Sequence, residues 1–347
     1  MQLLRPRCRR EAQTHRGNPF GDRSRPRPQP MQTTGPYTPL IHVLLATFQG
    51  AAYLRAQLDS IAAQEHPRWR LWISDDGSQD ATLAICEAFS REHPDARVQI
   101  LRGPGQGSTA NFFHLLSQVQ LDSEEDLFAF ADQDDVWLPG KLARGVRALQ
   151  ALQPGRSQPA LYGALTRLVD EHLHPTGLSA LPTRPLGFGN ALLQNVVSGN
   201  TMVFNYALLQ RLRSIQPGHA VWHDWSAYQT VTGCGGLLHF DPVPCLLYRQ
   251  HAHNLIGSQG RSWDKIQRLR MMFRGQYRTW GDQTEAAMQD LAPHLVPEAR
   301  ATLQVFANMR HHSNPLKRIH IGCTGPLWRQ TTAGRVSLWL GLLLKQI

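Results

Sequence analysis

The sequence predicts an α/β fold: a mostly parallel sheet flanked by helices, with a helical C-terminal extension. Three observations predict it. Four short apolar runs punctuate the first half, segments of helical spacing separate them, and polar segments follow them. Strands alternating with helices of roughly 10–15 residues imply βαβ units and parallel strand pairing.

The elements follow in order. Residues 41–46 form the first apolar run, and Thr47-Phe-Gln-Gly50 breaks it; Leu54, Leu58, Ile61 and Ala62 then recur at helical spacing. Residues 71–73 form the second run, which ends in Ser74-Asp-Asp-Gly-Ser78, and Leu83, Cys86 and Phe89 mark the next helix. Residues 98–101 are a third strand, followed by the Gly-rich 103–107 and a helix from Thr109. The fourth run, 127–131, leads straight into Asp132-Gln-Asp-Asp135. Ligands of such sheets bind beyond the carboxyl ends of the strands, where Thr47–Gly50, Asp75–Ser78 and Asp132–Asp135 all fall. The second half is less regular. Residues 196–204 read as a strand or strand pair, 222–231 as a short helix, 236–240 and 245–249 as strands, and the chain from Ser262 as helical and basic. The boundaries expected are a basic tail at 1–38, an α/β domain at 39–257 with halves meeting near 150, and a helical region at 258–347.

A chain of 347 residues can bury a sizeable core, and 41% hydrophobic with 18% charged residues is ordinary for a globular protein. The net charge of +10 is uneven: residues 1–38 hold eight arginines against Glu11 and Asp22, so +6 sits in the tail and +4 in the body. That tail is rich in Pro and Gly, lacks periodicity and reads as disordered. Met31 is an alternative start, and no apolar stretch follows the arginines as a secretory signal requires. Five cysteines without paired spacing fit a reducing cytosol better than a disulfide framework or a zinc site. No run reaches the ~18–20 apolar residues of a membrane span. Basic charge without interleaved aromatics gives no reason to expect a nucleic acid.

Asp132, Asp134 and Asp135 place three carboxylates within four residues, which repel unless water or a cation sits among them. A hard divalent ion such as Mg²⁺ or Mn²⁺ takes such oxygen ligands and keeps positions for substrate phosphates. The alternative is a solvated acidic turn that caps the helix starting near Leu138. Asp75-Asp-Gly-Ser78 is open to the same two readings: acceptors facing a nucleoside, or caps and a tight turn.

As a set, Ala46-Thr-Phe-Gln-Gly50, Ser74-Asp-Asp-Gly-Ser-Gln-Asp80, Asp132-Gln-Asp-Asp-Val-Trp-Leu-Pro139 and Lys141-Leu142 resemble the inverting glycosyltransferases of family two, which have the GT-A fold. The resemblance covers roughly residues 39–150 and makes them the nucleotide-sugar half, with 151–257 as the acceptor half. It implies that Thr47 and Gly50 line the donor site and that Asp75 and Asp76 hold base and ribose. It makes Asp132 and Asp134 the DxD pair, with Asp134 the direct metal ligand. The metal bridges the two phosphates and neutralises the leaving nucleoside diphosphate. Asn111, in Gly107-Ser-Thr-Ala-Asn111, resembles the donor-side loop; its other reading is a first-turn helix residue.

Inversion also needs a base for the acceptor hydroxyl. Trp222-His-Asp-Trp225 resembles the family's base segment, which makes Asp224 the base, although His223 stands where the family has Glu. Its alternative is a helix-terminal carboxylate favoured by the dipole. In Tyr248-Arg-Gln-His-Ala-His-Asn254, His251 resembles a late histidine that reaches metal or diphosphate, and Arg249 is placed to touch phosphate. The bland reading is a polar exit from a strand, and no third ligand makes His-x-His a zinc site. Gly199, Asn200 and Trp225 are expected on the acceptor side. Together these motifs look most like the bacterial rhamnosyltransferase branch, which implies dTDP-rhamnose as donor and O-antigen or other surface polysaccharide on a lipid-linked acceptor. The downstream Gln-x-x-Arg-Trp and spans of a processive synthase are missing.

The C-terminal segment mixes Trp and Leu with Arg329 and Arg335. It reads as an interfacial stretch on an anionic membrane or as a helix packed on the body. The first reading places the protein in the cytoplasm, peripheral to the inner face of the cell membrane. Two rivals remain: a nucleotide-sugar pyrophosphorylase, disfavoured because Thr47-Phe-Gln-Gly50 offers no cation for a triphosphate, and a catalytically silent membrane-associated scaffold, disfavoured by Asp134 and Asp224.

Overall fold

The computed structural model describes residues 38–94, 97–251 and 274–345. The basic tail, and the part of the Tyr248–Asn254 cluster beyond His251, lie outside the described residues.

Strands β1 (Ile41–Thr47), β2 (Trp69–Asp75), β3 (Val98–Arg102) and β4 (Leu127–Ala131) pair in parallel in the order β4-β1-β2-β3. Helices α1 (Leu54–Ala62), α2 (Thr82–Glu92) and α3 (Ser108–Gln118) join them. The continuous apolar runs of β1 and β4 have their cause here, because both strands are covered on both faces. Side chains alternate between two cores: Val43 and Leu45 pack with Leu58 and Leu142, whereas Leu44 packs with Phe112 and Phe130.

The second half completes the sheet. After the two-residue β5 (Val136–Trp137), α4 (Lys141–Leu152) leads to β6 (Ala160–Ala164), and β7 (Arg167–Val169) and β8 (Pro175–Leu178) form a hairpin. A one-turn α5 (Phe188–Ala191) precedes β9 (Val203–Asn205), and α6 (Tyr206–Arg213) and α7 (His223–Gly233) follow. β10 (Leu237–Asp241) closes the main sheet, whose order is β10-β6-β9-β4-β1-β2-β3. Within it β9 runs antiparallel to both neighbours, β4 and β6. β11 (Leu246–Arg249) joins β5, β7 and β8 in a second, four-stranded sheet.

Sequence patterning passes over β6, β7 and β8. β6 is Ala-Leu-Tyr-Gly-Ala, buried throughout but with small residues that carry little strand signal. β8 is Pro-Thr-Gly-Leu and exposed along its length. Residues 196–204, expected as a strand or strand pair, instead make a 3₁₀ turn at Gly199–Thr201 before the short β9.

Among the described residues four further helices follow: α8 (Gln276–Asp290), α9 (Pro297–His311), α10 (Pro315–Thr324) and α11 (Thr332–Leu343). Met288, Phe306, Met309, Leu338 and Leu342 from these helices belong to the same buried cluster as Leu44 and Phe130 of the sheet. No described helix is long and apolar enough to cross a membrane.

Candidate active site

Thr47 at the end of β1 donates its hydroxyl to Asp75 Oδ1 at 2.9 Å. Asp75 also accepts from the Ser78 hydroxyl at 2.6 Å and from the backbone N–H groups of Ser78 and Gly77 at 2.8 and 3.2 Å. Its four lone-pair sites are therefore taken up within the turn. Asp76 accepts one N–H on each oxygen, from Gly105 and Gly107, both at 2.7 Å, and so ties the Gly-rich loop to the end of β2. It keeps further acceptor capacity. Asn111 is buried and donates to the Ser74 carbonyl at 2.8 Å, while its Oδ1 has no partner. The Gly50 N–H donates to Thr82 Oγ1 at 2.8 Å.

Gln133 went unnoticed in the sequence. Its amide accepts from Phe48 N and donates to Phe48 O at 2.8 and 2.9 Å, clasping the end of β1 as a strand would. Its place between the two aspartates of the DxD pair was the available signal. Phe48 itself is left 55% exposed at the mouth of this edge.

Beyond β4, Asp134 Oδ2 lies 2.8 Å from His251 Nε2, which joins two of the three residues, Asp132 being the third, that the motifs assigned to the metal. The His251 ring stacks on Tyr53 at 4.9 Å between centroids. Arg249 is buried, donates to the Asp134 backbone carbonyl at 3.0 Å and lies over the Tyr53 ring, so it braces the acidic turn from behind. Burial raises the Asp132 carboxyl, and the charges of Asp134 and Asp224 raise it further. Asp135 is raised for the same reasons, by burial first and then by Asp134 and Asp132. Lys141 sits over the Trp137 ring, 3.1 Å from its centroid, with no hydrogen-bond partner, and burial pushes it down to about 7.

The acceptor-side residues connect to this turn directly. Asn200 donates to Asp135 Oδ2 at 2.6 Å, and the N–H of its neighbour Gly199 donates to Asp224 Oδ2 at 3.1 Å. Asp224 lies in the first turn of α7, where its other oxygen accepts from Trp225 N at 2.7 Å. Burial nonetheless pushes it up to about 6. A side-chain hydrogen bond from Asn195, another residue the sequence did not flag, works in the opposite direction. His223 stacks on Phe112 with centroids 3.6 Å apart, and burial pushes it down to about 3. A Cβ on Gly199 would fall 2.6 Å from His223 Nε2 and 3.0 Å from Asp224 Cβ, which explains the glycine. Trp225 donates from its indole to the Ala191 carbonyl at 2.6 Å and meets Trp222 and Trp280.

Known proteins are similar to this chain. The family model for glycosyl transferase family 2 matches residues 42–253. A dTDP-rhamnosyl transferase, RfbG of Shigella flexneri, is 29% identical over 241 residues, covering 67% of this chain and 81% of that protein. An uncharacterized glycosyltransferase of Nostoc sp. is 32% identical over 113 residues, 32% of this chain and 33% of that one. Among solved structures, GalNAc-T7 with UDP, GalNAc and Mn²⁺ superposes with a TM-score of 0.52 at 13% identity, over 79% of this chain and 58% of that one. The GT-A architecture expected from the motifs is the one observed, and the chain belongs to glycosyl transferase family 2.

Proposed function

We propose that this glycosyltransferase moves a sugar, rhamnose from dTDP-rhamnose, with inversion onto a growing cell-surface glycan carried by a lipid. The observation that carries the reading is the chain of contacts from Asp135 through Asn200 and Gly199 to Asp224. It couples the acidic turn after β4 to a base on the other half of the domain. Supporting the choice of donor is the 29% identity to a dTDP-rhamnosyl transferase over most of both chains.

The residues present fit a divalent cation. Asp134 and Asp132 supply hard oxygens and His251 a nitrogen beside the same carboxylate; Asp132 and Asp135 are raised first by burial and then by the charge of Asp134, a repulsion that a cation would relieve. Among the described residues no set of three or more His, Cys, Asp or Glu closes around an ion. Such a site leaves coordination to the donor phosphates, as Mg²⁺ and Mn²⁺ sites commonly do. When bound, the ion would neutralise charge on the departing diphosphate.

The chain's own residues do the rest. Asp76, with acceptor capacity to spare, holds the nucleoside, and Asp75 and Thr47 fix the turn that presents it. Asp224 accepts the proton of the attacking hydroxyl; near neutrality a carboxyl pushed up to about 6 is ionised yet basic enough for that work. Trp225, Gly199 and Asn200 bound the acceptor side.

A thermal-shift screen against UDP-, GDP- and dTDP-sugars with and without Mn²⁺ tests the reading. Stabilisation that requires both dTDP-rhamnose and metal, and disappears in Asp134→Ala, is expected. Stabilisation by a different nucleotide sugar would replace the donor, and no response to any of them in folded protein would remove the transferase reading.

A further inference from the structure

The basic charge of the C-terminal region has no use in the chemistry above. After Glu298 the chain carries seven lysines and arginines and not one Asp or Glu. Arg310 is consumed by its pairs with Asp282 and Glu285. Two others, Arg329 and Arg335, line a cavity of about 330 Å³ together with Arg184 from the preceding half of the chain, Trp328, Trp339 and Leu338. That volume is within the ordinary range for small-molecule sites. The described residues around it include no carboxylate.

The cavity is built, not incidental. Gln330 accepts from the backbone N–H groups of Thr183 and Arg184 at 3.0 and 2.8 Å, and Asn190 donates to the Trp328 carbonyl at 3.0 Å. The Trp328 indole donates to Pro185 O at 3.1 Å, and Arg184 lies over its ring. These bonds staple residues 183–190 to 326–330 and hold Arg184 beside Arg329.

Two neighbouring surfaces bear on the ligand it suits. On one side, Arg329 and Leu338 also line a smaller cleft floored by Trp225, Trp280 and Tyr277. Trp225 follows Asp224 in the chain and donates its backbone N–H to that carboxylate at 2.7 Å, which places one residue of the cleft next to the proposed base. On the other side, α11 exposes Val336, Trp339, Leu340 and Leu343, with Leu344 just beyond its end, while Leu338 and Leu342 face the core. Spacings of three, four and seven put the exposed residues on one stripe. Arginine forks suit phosphate oxygens, flat aromatic rings suit the apolar face of a sugar, and an exposed leucine stripe suits a hydrocarbon chain.

We propose that the Arg184–Arg329–Arg335 cavity binds the diphosphate of a prenyl-diphosphate-linked acceptor glycan. The glycan reaches Asp224 across the Trp225–Trp280 wall and the prenyl chain lies along α11. This deepens the transferase reading and rests on it for the identity of the glycan.

The test titrates farnesyl diphosphate, inorganic pyrophosphate and farnesol into the full chain, free of divalent metal, following tryptophan fluorescence. Phosphatidylglycerol vesicles form a fourth arm. Farnesyl diphosphate is expected to bind at least about tenfold more tightly than pyrophosphate or farnesol. Arg184→Ala/Arg335→Ala should weaken it about tenfold or more at an unchanged melting temperature. Leu340→Ser/Leu343→Ser should remove only its advantage over pyrophosphate. Equal affinity in the arginine variant, pyrophosphate binding as tightly as farnesyl diphosphate, or binding to vesicles alone would each overturn the proposal. The metal-dependent donor shift, recorded on the same variants, separates the two readings. Its loss in wild type with farnesyl diphosphate still bound would remove the transferase, and its survival without farnesyl diphosphate binding would remove the cavity.

Discussion

Asp224 accepts two backbone N–H groups in the first turn of a helix, both of which favour its charge, and burial still pushes it up to about 6. In the base role proposed above, Asp224 works only when ionised. The kcat/KM of the transferase should therefore be level above about pH 6 and fall tenfold per unit below it. Asp224→Asn should lose about 10²–10⁴-fold in kcat with the donor shift intact. Gly199→Ala should also lower kcat more than donor affinity, because His223 is wedged between Phe112 and Phe130 and cannot yield to the new methyl. His42 makes a different prediction. Its Nδ1 accepts from Trp72 at 3.0 Å, so Nε2 carries the proton and donates to Asp126 at 3.1 Å. Burial lowers its pKa below 6.5, so the unfolded chain binds its proton first as pH falls. Stability should decline as the pH drops below about 6.5, and denaturant titrations across pH 5–7 should show His42→Gln losing part of that slope. The site carboxylates were legible because acidic residues after apolar strands are unusual. Gln133, Asn195 and Tyr53 were not, because an amide or a tyrosine in a loop gives no sign of its partner.

Among the elements, β1 and β4 were legible as apolar runs, a pattern that burial on both faces dictates, whereas the edge strand β3 carries Gln99 and Arg102 and was legible from its Val, Ile and Leu alone. β6 to β8 escaped because strands of three to five residues with Gly, Pro and exposed polar positions lack a period to detect. The helical C-terminal pairing has its own test. Arg310, 1% exposed at its side chain, joins α9 to Asp282 and Glu285 on α8, whose side chains are 58% and 27% exposed. Removing the two acids strands a buried cation, whereas removing the arginine leaves carboxylates that water can reach. Asp282→Asn/Glu285→Gln should thus cost about 3–5 kcal/mol in denaturant unfolding, and Arg310→Leu clearly less. The reverse order would show that the guanidinium is anchored mainly by packing.

For the molecule as a whole, the sequence placed a boundary at 257/258 because strand alternation stops there and amphipathic helices begin. Yet α8 to α11 contribute to the core that also holds Leu44 and Phe130. Helix α11 buries Leu338 and Leu342 in that core, as the packed-helix reading expects, and exposes Val336, Trp339, Leu340 and Leu343 on its other side. We propose that residues 39–345 unfold as one unit. Calorimetry should show a single transition, and a chain ending at 275 should not give soluble, folded protein. Two separable transitions would support the boundary instead. Sequence patterns are local, so a core shared between segments more than two hundred residues apart leaves no trace in them.

The antiparallel β9 has a mechanical consequence. The residues proposed to hold the donor leave the sheet at the ends of parallel strands, whereas the Gly199–Thr201 turn meets the same edge while entering β9. β9 therefore acts as a ruler that fixes how far the Gly199–Thr201 turn stands from the acidic one. Its registration rests on three pairs with β4: Leu127 to Asn205, Phe128 to Phe204, and Ala129 to Val203. One residue inserted before Val203 would displace Asn200 by about 3.3 Å along the strand direction, beyond hydrogen-bond reach of Asp135. Such a protein would still load its donor and hold its base, but the two would no longer be timed to the same bond.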